Sequence, residues 1–142
     1  LNARLLLRVA SIIALVFALG HTSGGPWTPS EEPNAAAVVE AMKSVSFDAM
    51  GTSRSYWDFY FGFGANISVY MFAQAALLWL LAALAKTQPA SARPFVAVML
   101  ASCAANGFLA WRYFFVLPLV LSVVMAICLV LALFALGPRA DT

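Results

Sequence analysis

The sequence predicts an all-α integral membrane protein: a bundle of four transmembrane helices with one long outer loop that carries a short amphipathic helix. Three observations predict it. The 142 residues are 63% hydrophobic and 10% charged, with a mean hydropathy of +0.89, well outside the range of soluble domains. The apolar residues fall into four runs, each near the roughly 20 residues that cross a bilayer. Between the first and second runs, residues 21–54 collect four of the six acidic residues and a dense set of Gly and Pro, the composition of a loop. A chain of this length makes one domain over residues 1–142.

The first helix is expected at about residues 5–20, LLLRVASIIALVFALG, with Arg4 and Arg8 at its basic end. A basic start, an apolar middle and small residues near Ala18 and Gly20 also describe a signal peptide; the segment is read as the first membrane helix. The loop that follows contains a candidate helix from about Glu31 to Ser44, with Ser30 suited to the N-cap and Glu31 and Glu32 favoured by the helix dipole. Val38, Val39, Met42 and Val45 would share its apolar face. Gly51 is expected to break the chain before the second membrane helix at about 55–84, whose length exceeds one crossing. Residues 87–93, TQPASAR, read as a polar turn, and a third helix is expected at about 94–113, ending in the boundary residues Trp111, Arg112 and Tyr113. The fourth, about 115–136, tolerates Pro118 in its first turn and stops at Gly137-Pro138.

Four crossings put both termini on one side. Arg4, Arg8, Lys86, Arg93 and Arg139 fall on that side, and Lys43, Arg54 and Arg112 on the other. The positive-inside rule then predicts cytoplasmic termini, in a bacterium a multi-pass protein of the inner membrane. A net charge of +2 without a basic run gives nucleic acid no electrostatic hold. Cys103 and Cys128 lie within apolar runs and read as buried, unbridged thiols.

Polar chemistry concentrates at the start of the second helix. Arg54, Asp58, Gly62, Asn66, Tyr70 and Gln74 recur at intervals of four, which on a helix forms one slowly drifting ridge. Polar groups in hydrocarbon are costly unless they face protein or water, so the ridge is expected to point into the bundle. Asn66 and Asn106 lie at matching depth, about 9 Å inside the outer boundary at 1.5 Å per residue, and are expected to meet. Candidate ligand-binding residues are therefore Arg54, Asp58, Asn66, Tyr70, Asn106 and Arg112, the two arginines gripping a phosphate or carboxylate head group. Candidate catalytic residues are His21, Asp48 and Asp58, a histidine that titrates near neutrality and carboxylates able to orient it. The competing reading pairs Arg54 with Asp58 as a purely structural i,i+4 ion pair. A single His without HxxH or HExxH spacing predicts no metal site, and no motif in the sequence identifies a cofactor. Gly62 and Gly64 read as a close-packing device.

HTSGGPW after the first helix and FDAMGTSRSYWDFYFGFG leading into the second resemble a family of small, uncharacterised four-helix bacterial membrane proteins. The resemblance implies a four-helix fold and a bacterial membrane; it implies no activity and no catalytic residues. The expected function is binding of a lipid-like, isoprenoid-like or quinone-like molecule by head group and tail in a polar-mouthed bundle cavity. Two alternatives stand beside it: an accessory subunit of a larger membrane complex or homo-oligomer, and a lipid-modifying or isomerising enzyme.

Overall fold

The computed structural model describes residues 2–24, 27–28 and 32–137. It is all-α, with helices α1 (Ala3–Ser23), α2 (Pro33–Ser44), α3 (Tyr56–Thr87), α4 (Pro89–Tyr113) and α5 (Val116–Ala135), plus one small hairpin, β1 (Ser46–Ala49) and β2 (Thr52–Ser55). α1, α3, α4 and α5 are each long and apolar enough to cross a membrane, which makes this a multi-pass helical membrane protein.

The chain divides into two compact units, Leu1–Phe17 with Met71–Thr142, and Ala18–Tyr70. The first has a core assembled from one stripe of each helix: Leu7, Ala10 and Ala14 of α1, Ala75, Leu78, Ala82 and Ala85 of α3, Ala92, Val96 and Cys103 of α4, and Met125, Cys128, Leu129 and Ala132 of α5. Spacings of three, four and seven dominate each set, which is the helical repeat. Half of these side chains are alanine, and small residues are what let membrane helices approach closely enough to gain from van der Waals contact. Polar bonds cross the same seams. Ser11 Oγ donates to the carbonyl of Ala75 at 2.7 Å, and Cys103 Sγ donates to that of Ser122 at 3.1 Å. Cys103 and Cys128 are both buried and unbridged.

α4 begins a turn earlier than the sequence predicts, so the expected polar turn at 87–93 contracts to Gln88 alone between α3 and α4. Pro89 at the first helical position needs no N–H there and presets φ. Pro94, expected to start the helix, lies inside it, and burial of Ala92 and Val96 on either side rewards the added turn. α1 extends three residues past the expected end, carrying His21 into helix.

In the second unit, α2 starts at Pro33 with Glu32 at the N-cap position; the expected cap Ser30 and first-turn Glu31 lie outside the described residues, as does Arg139. Its half-buried face is Ala35, Val39 and Met42, spaced four and three, whereas Val38 and Val45 are exposed. The hairpin was not anticipated. Met50 and Gly51 have φ of 56° and 84°, the pair of positive values that a two-residue type I′ turn requires, and Ala49 opposite Thr52 closes it. Gly51 is thus a hairpin residue and not a helix breaker. One face of the hairpin carries Phe47 paired with Arg54, the other Asp48 paired with Ser53. Phe47 packs against Tyr56 and Phe59 of α3 at centroid distances of 4.9 and 5.5 Å.

Candidate functional site

The polar segment is built by the junction of β2 with α3. Ser55 caps the helix: its Oγ accepts from the Asp58 N–H at 3.1 Å, and Asp58 Oδ2 accepts from the Ser55 N–H at 2.7 Å. This reciprocal capping box satisfies two amides that would otherwise lack partners at a helix start. The sequence signal for it is Ser55-Tyr56-Trp57-Asp58, an S-x-x-D pattern ahead of an apolar run, which competes with the four-residue ridge for the same Asp58. Arg54 is in a strand, so its spacing of four from Asp58 is not a helical one. Its Nη1 donates to the carbonyl of Ser53 at 3.0 Å, and the expected ion pair with Asp58 is absent among the described residues, where Lys43 with Glu40 at 3.2 Å forms the one salt bridge.

The ridge faces outward. Arg54, Asp58, Gly62, Asn66 and Tyr70 are all exposed and Gln74 is half-buried, whereas Gly64, Ser68, Ala75 and Leu78 on other faces of the same helix are buried. The expectation of an inward ridge is overturned because Gly64, Ser68, Ala75 and Leu78, and not the ridge residues, take the tightly packed positions. Arg54, Asp58, Phe59, Gly62, Phe63 and Asn66 line an open groove of about 330 Å³. A Cβ added at Gly62 would meet nothing within 4 Å, so this glycine leaves space in the groove and does not serve helix contact.

His21 belongs to a separate polar cluster. Its Nδ1 lies 3.1 Å from Ser68 Oγ, which also accepts from Thr22 Oγ1 at 3.0 Å. Trp27 Nε1 donates to the Thr22 carbonyl at 2.8 Å and its ring packs on Phe61. α1 and α3 are thereby tied together where HTS follows the apolar run. Ser68 and Thr22 were not singled out from sequence; a hydroxyl in a membrane helix gives no sign of which neighbour it will bond.

The structure therefore brings Arg54, Asp58 and Asn66 together. It gives His21 a hydroxyl partner and places Asp48 exposed on the hairpin. Tyr70 and Asn106 are exposed on α3 and α4, and the Arg112 guanidinium lies over the neighbouring Tyr113 ring at 5.4 Å. Among the described residues no three His, Cys, Asp or Glu side chains gather as a metal site would need. The chain matches no protein-family model, no curated protein and no solved structure.

Proposed function

We propose that the chain is an accessory subunit of a membrane assembly and that it engages its partner through the outward polar face of α3. The observation that carries this is the exposure of Asp58, Asn66 and Tyr70 along a helix of membrane-spanning length, with Arg54 exposed on the strand that leads into it. Amide and hydroxyl groups turned to lipid find no hydrogen bonds there, and a partner helix bearing polar side chains supplies them. Gly62, with open space above it, lets such a helix come close. A photo-crosslinking amino acid at position 70, activated in native membranes, is expected to trap one partner polypeptide in stoichiometric yield. Adducts to lipid alone would sink the proposal, and a dimer adduct would name a second copy as the partner.

A second reading is favoured by the groove itself, where a guanidinium stands beside Phe59 and Phe63. That is the pairing of charge and apolar wall that an isoprenoid-like or quinone-like molecule would use. Gly62→Phe fills the groove; loss of a co-purifying lipid-like molecule on that change, with no polypeptide partner, would favour this reading. Among the described residues the enzymatic reading has no paired acid and base in its support, since Asp58 is engaged by the Ser55 cap and His21 by Ser68. A bacterial inner membrane with cytoplasmic termini belongs to the same proposal. It rests on Arg4, Arg8, Lys86 and Arg93 at the ends of α1, α3 and α4, and on the resemblance of the HTSGGPW and FDAMGTSRSYWDFYFGFG segments to uncharacterised bacterial membrane proteins.

A further inference from the structure

Charge is divided unequally along this chain. Every described acidic residue, Glu32, Glu40, Asp48 and Asp58, falls in the unit Ala18–Tyr70, whereas the described cations of the other unit are Arg4, Arg8, Lys86, Arg93 and Arg112. That unit therefore holds five positive side chains and no described carboxylate to pair with them. Three of the five are not simply extended into solvent. Arg4 Nε, Arg8 Nε and Arg93 Nη1 are shielded from water and have no hydrogen-bond partner, a costly state for a group that presents five donors in a fixed fork.

The three share one end of the unit. Gln88 alone separates the end of α3 from the start of α4, and Ser11 of α1 meets Ala75 of α3 while Arg8, nearer the start of α1, meets Trp79, nearer the end of α3, so the start of α1 runs beside the end of α3. The Arg8 guanidinium is over the Trp79 ring, 4.5 Å from its centroid, a stacking that fixes its plane. At 1.5 Å per residue, Arg4 and Arg8 lie about 1.5 and 7.5 Å from the first residue of α1, and Arg93 about 6 Å from that of α4. All three are within two turns of the first residue of their own helix, at the end of the unit where α3 stops.

We propose that Arg4, Arg8 and Arg93 form a binding site for the phosphate of an anionic phospholipid head group. Unsatisfied guanidinium donors, a stacked arginine and no carboxylate among the unit's described residues suit bidentate phosphate recognition, and basic side chains at the ends of membrane helices are where an anionic lipid presents that group. The site is independent of the α3 groove and of the partner proposed for it.

The test uses the full chain in nanodiscs of phosphatidylcholine doped with phosphatidylglycerol, released and read by native mass spectrometry. Selective retention of phosphatidylglycerol is expected, falling about tenfold for each guanidinium lost in Arg4→Gln, Arg8→Gln and Arg93→Gln. Lys86→Gln removes an exposed cation at the same end and should leave retention near the parent value. The triple Arg→Lys variant keeps the charge, and so guards against loss of fold, but lacks the fork; it should lose most of the selectivity. Equal retention of both lipids, undiminished selectivity in the triple Lys variant, or a loss in Lys86→Gln as large as in the arginine variants would overturn the proposal. Inorganic phosphate is the remaining arm: if millimolar phosphate alone stabilises the chain as phosphatidylglycerol does and displaces it, the site takes a free anion and the lipid assignment is wrong.

Discussion

Ser55 and Asp58 exchange hydrogen bonds across the first turn of α3, each side chain accepting from the other's backbone amide at 3.1 and 2.7 Å. Asp58, a candidate catalytic carboxylate, is thereby given a structural task. Ser55→Ala should weaken the start of α3 by about 1 kcal/mol, and Asp58→Ala should act in the same direction. Because the two bonds form one motif, the double variant should cost less than the sum. Hydrogen exchange at the amides of residues 55–58 is the measurement; unchanged protection in both single variants would remove the capping role.

The hairpin turn offers a gain of stability. Met50 holds a φ of 56° without contact to compensate it, its side chain being fully exposed. Asparagine accepts that conformation more readily than a long unbranched side chain, and Asn-Gly is the preferred pair for this turn. Met50→Asn should slow exchange across the Ala49 and Thr52 pair and stabilise the hairpin by roughly 0.5–1 kcal/mol. Gly51→Ala, at a φ of 84°, should move exchange the other way.

Much of the fold was legible because hydrocarbon leaves the chain few options. Four apolar runs of membrane length mean four helices, and the ends of α3 and α5 fall within three residues of where hydropathy puts them. The start of α4 did not, because the burial that rewards the turn containing Ala92 depends on neighbours the local sequence does not name. The hairpin escaped for a related reason: in SFDAMGTSRS the apolar alternation lasts only over Ser46–Ala49 and has no apolar counterpart in TSRS, and Met is a poor advertisement for a positive φ. The site was half legible. Arg54, Asp58 and Asn66 do line one groove, but periodicity gives only the relative angles of side chains around a helix. Which arc is buried was decided by Ser68, Ala75 and Leu78, and small residues carry that information more quietly than charged ones.

The His21 cluster predicts a coupling. Ser68 Oγ is within bonding distance of both His21 Nδ1 and Thr22 Oγ1, so Ser68→Ala removes two contacts between α1 and α3 at once. The loss should be about 0.6–2 kcal/mol, the range for polar contacts between membrane helices, read by denaturation in bicelles. His21→Ala in the Ser68→Ala background should add less than it does alone. Full additivity would mean that the imidazole and the hydroxyl act separately.

Topology is checked at two exposed positions. A cysteine at Met50, in the hairpin, should react with an impermeant thiol reagent added outside intact cells, and a cysteine at Lys86 only after the membrane is opened. The parent chain supplies its own blank, since Cys103 and Cys128 are buried. The reverse pattern would place the termini outside and with them the three arginines.

Asn66 gives the sharpest division between an inward and an outward ridge. If its amide were held inside the bundle, Asn66→Leu would leave an unmet partner behind and destabilise the chain by about 1 kcal/mol or more. The side chain is exposed on α3, and a leucine there gives lipid a better surface than an amide does. For the isolated chain in detergent, Asn66→Leu is therefore expected to leave stability within about 0.5 kcal/mol of the parent, with any change in the stabilising direction. In native membranes the same substitution removes a polar contact from the proposed interface, so the yield of the cross-link from position 70 should fall while expression stays constant. A destabilised monomer would return Asn66 to the interior; an unaffected cross-link would move the partner to another face of α3.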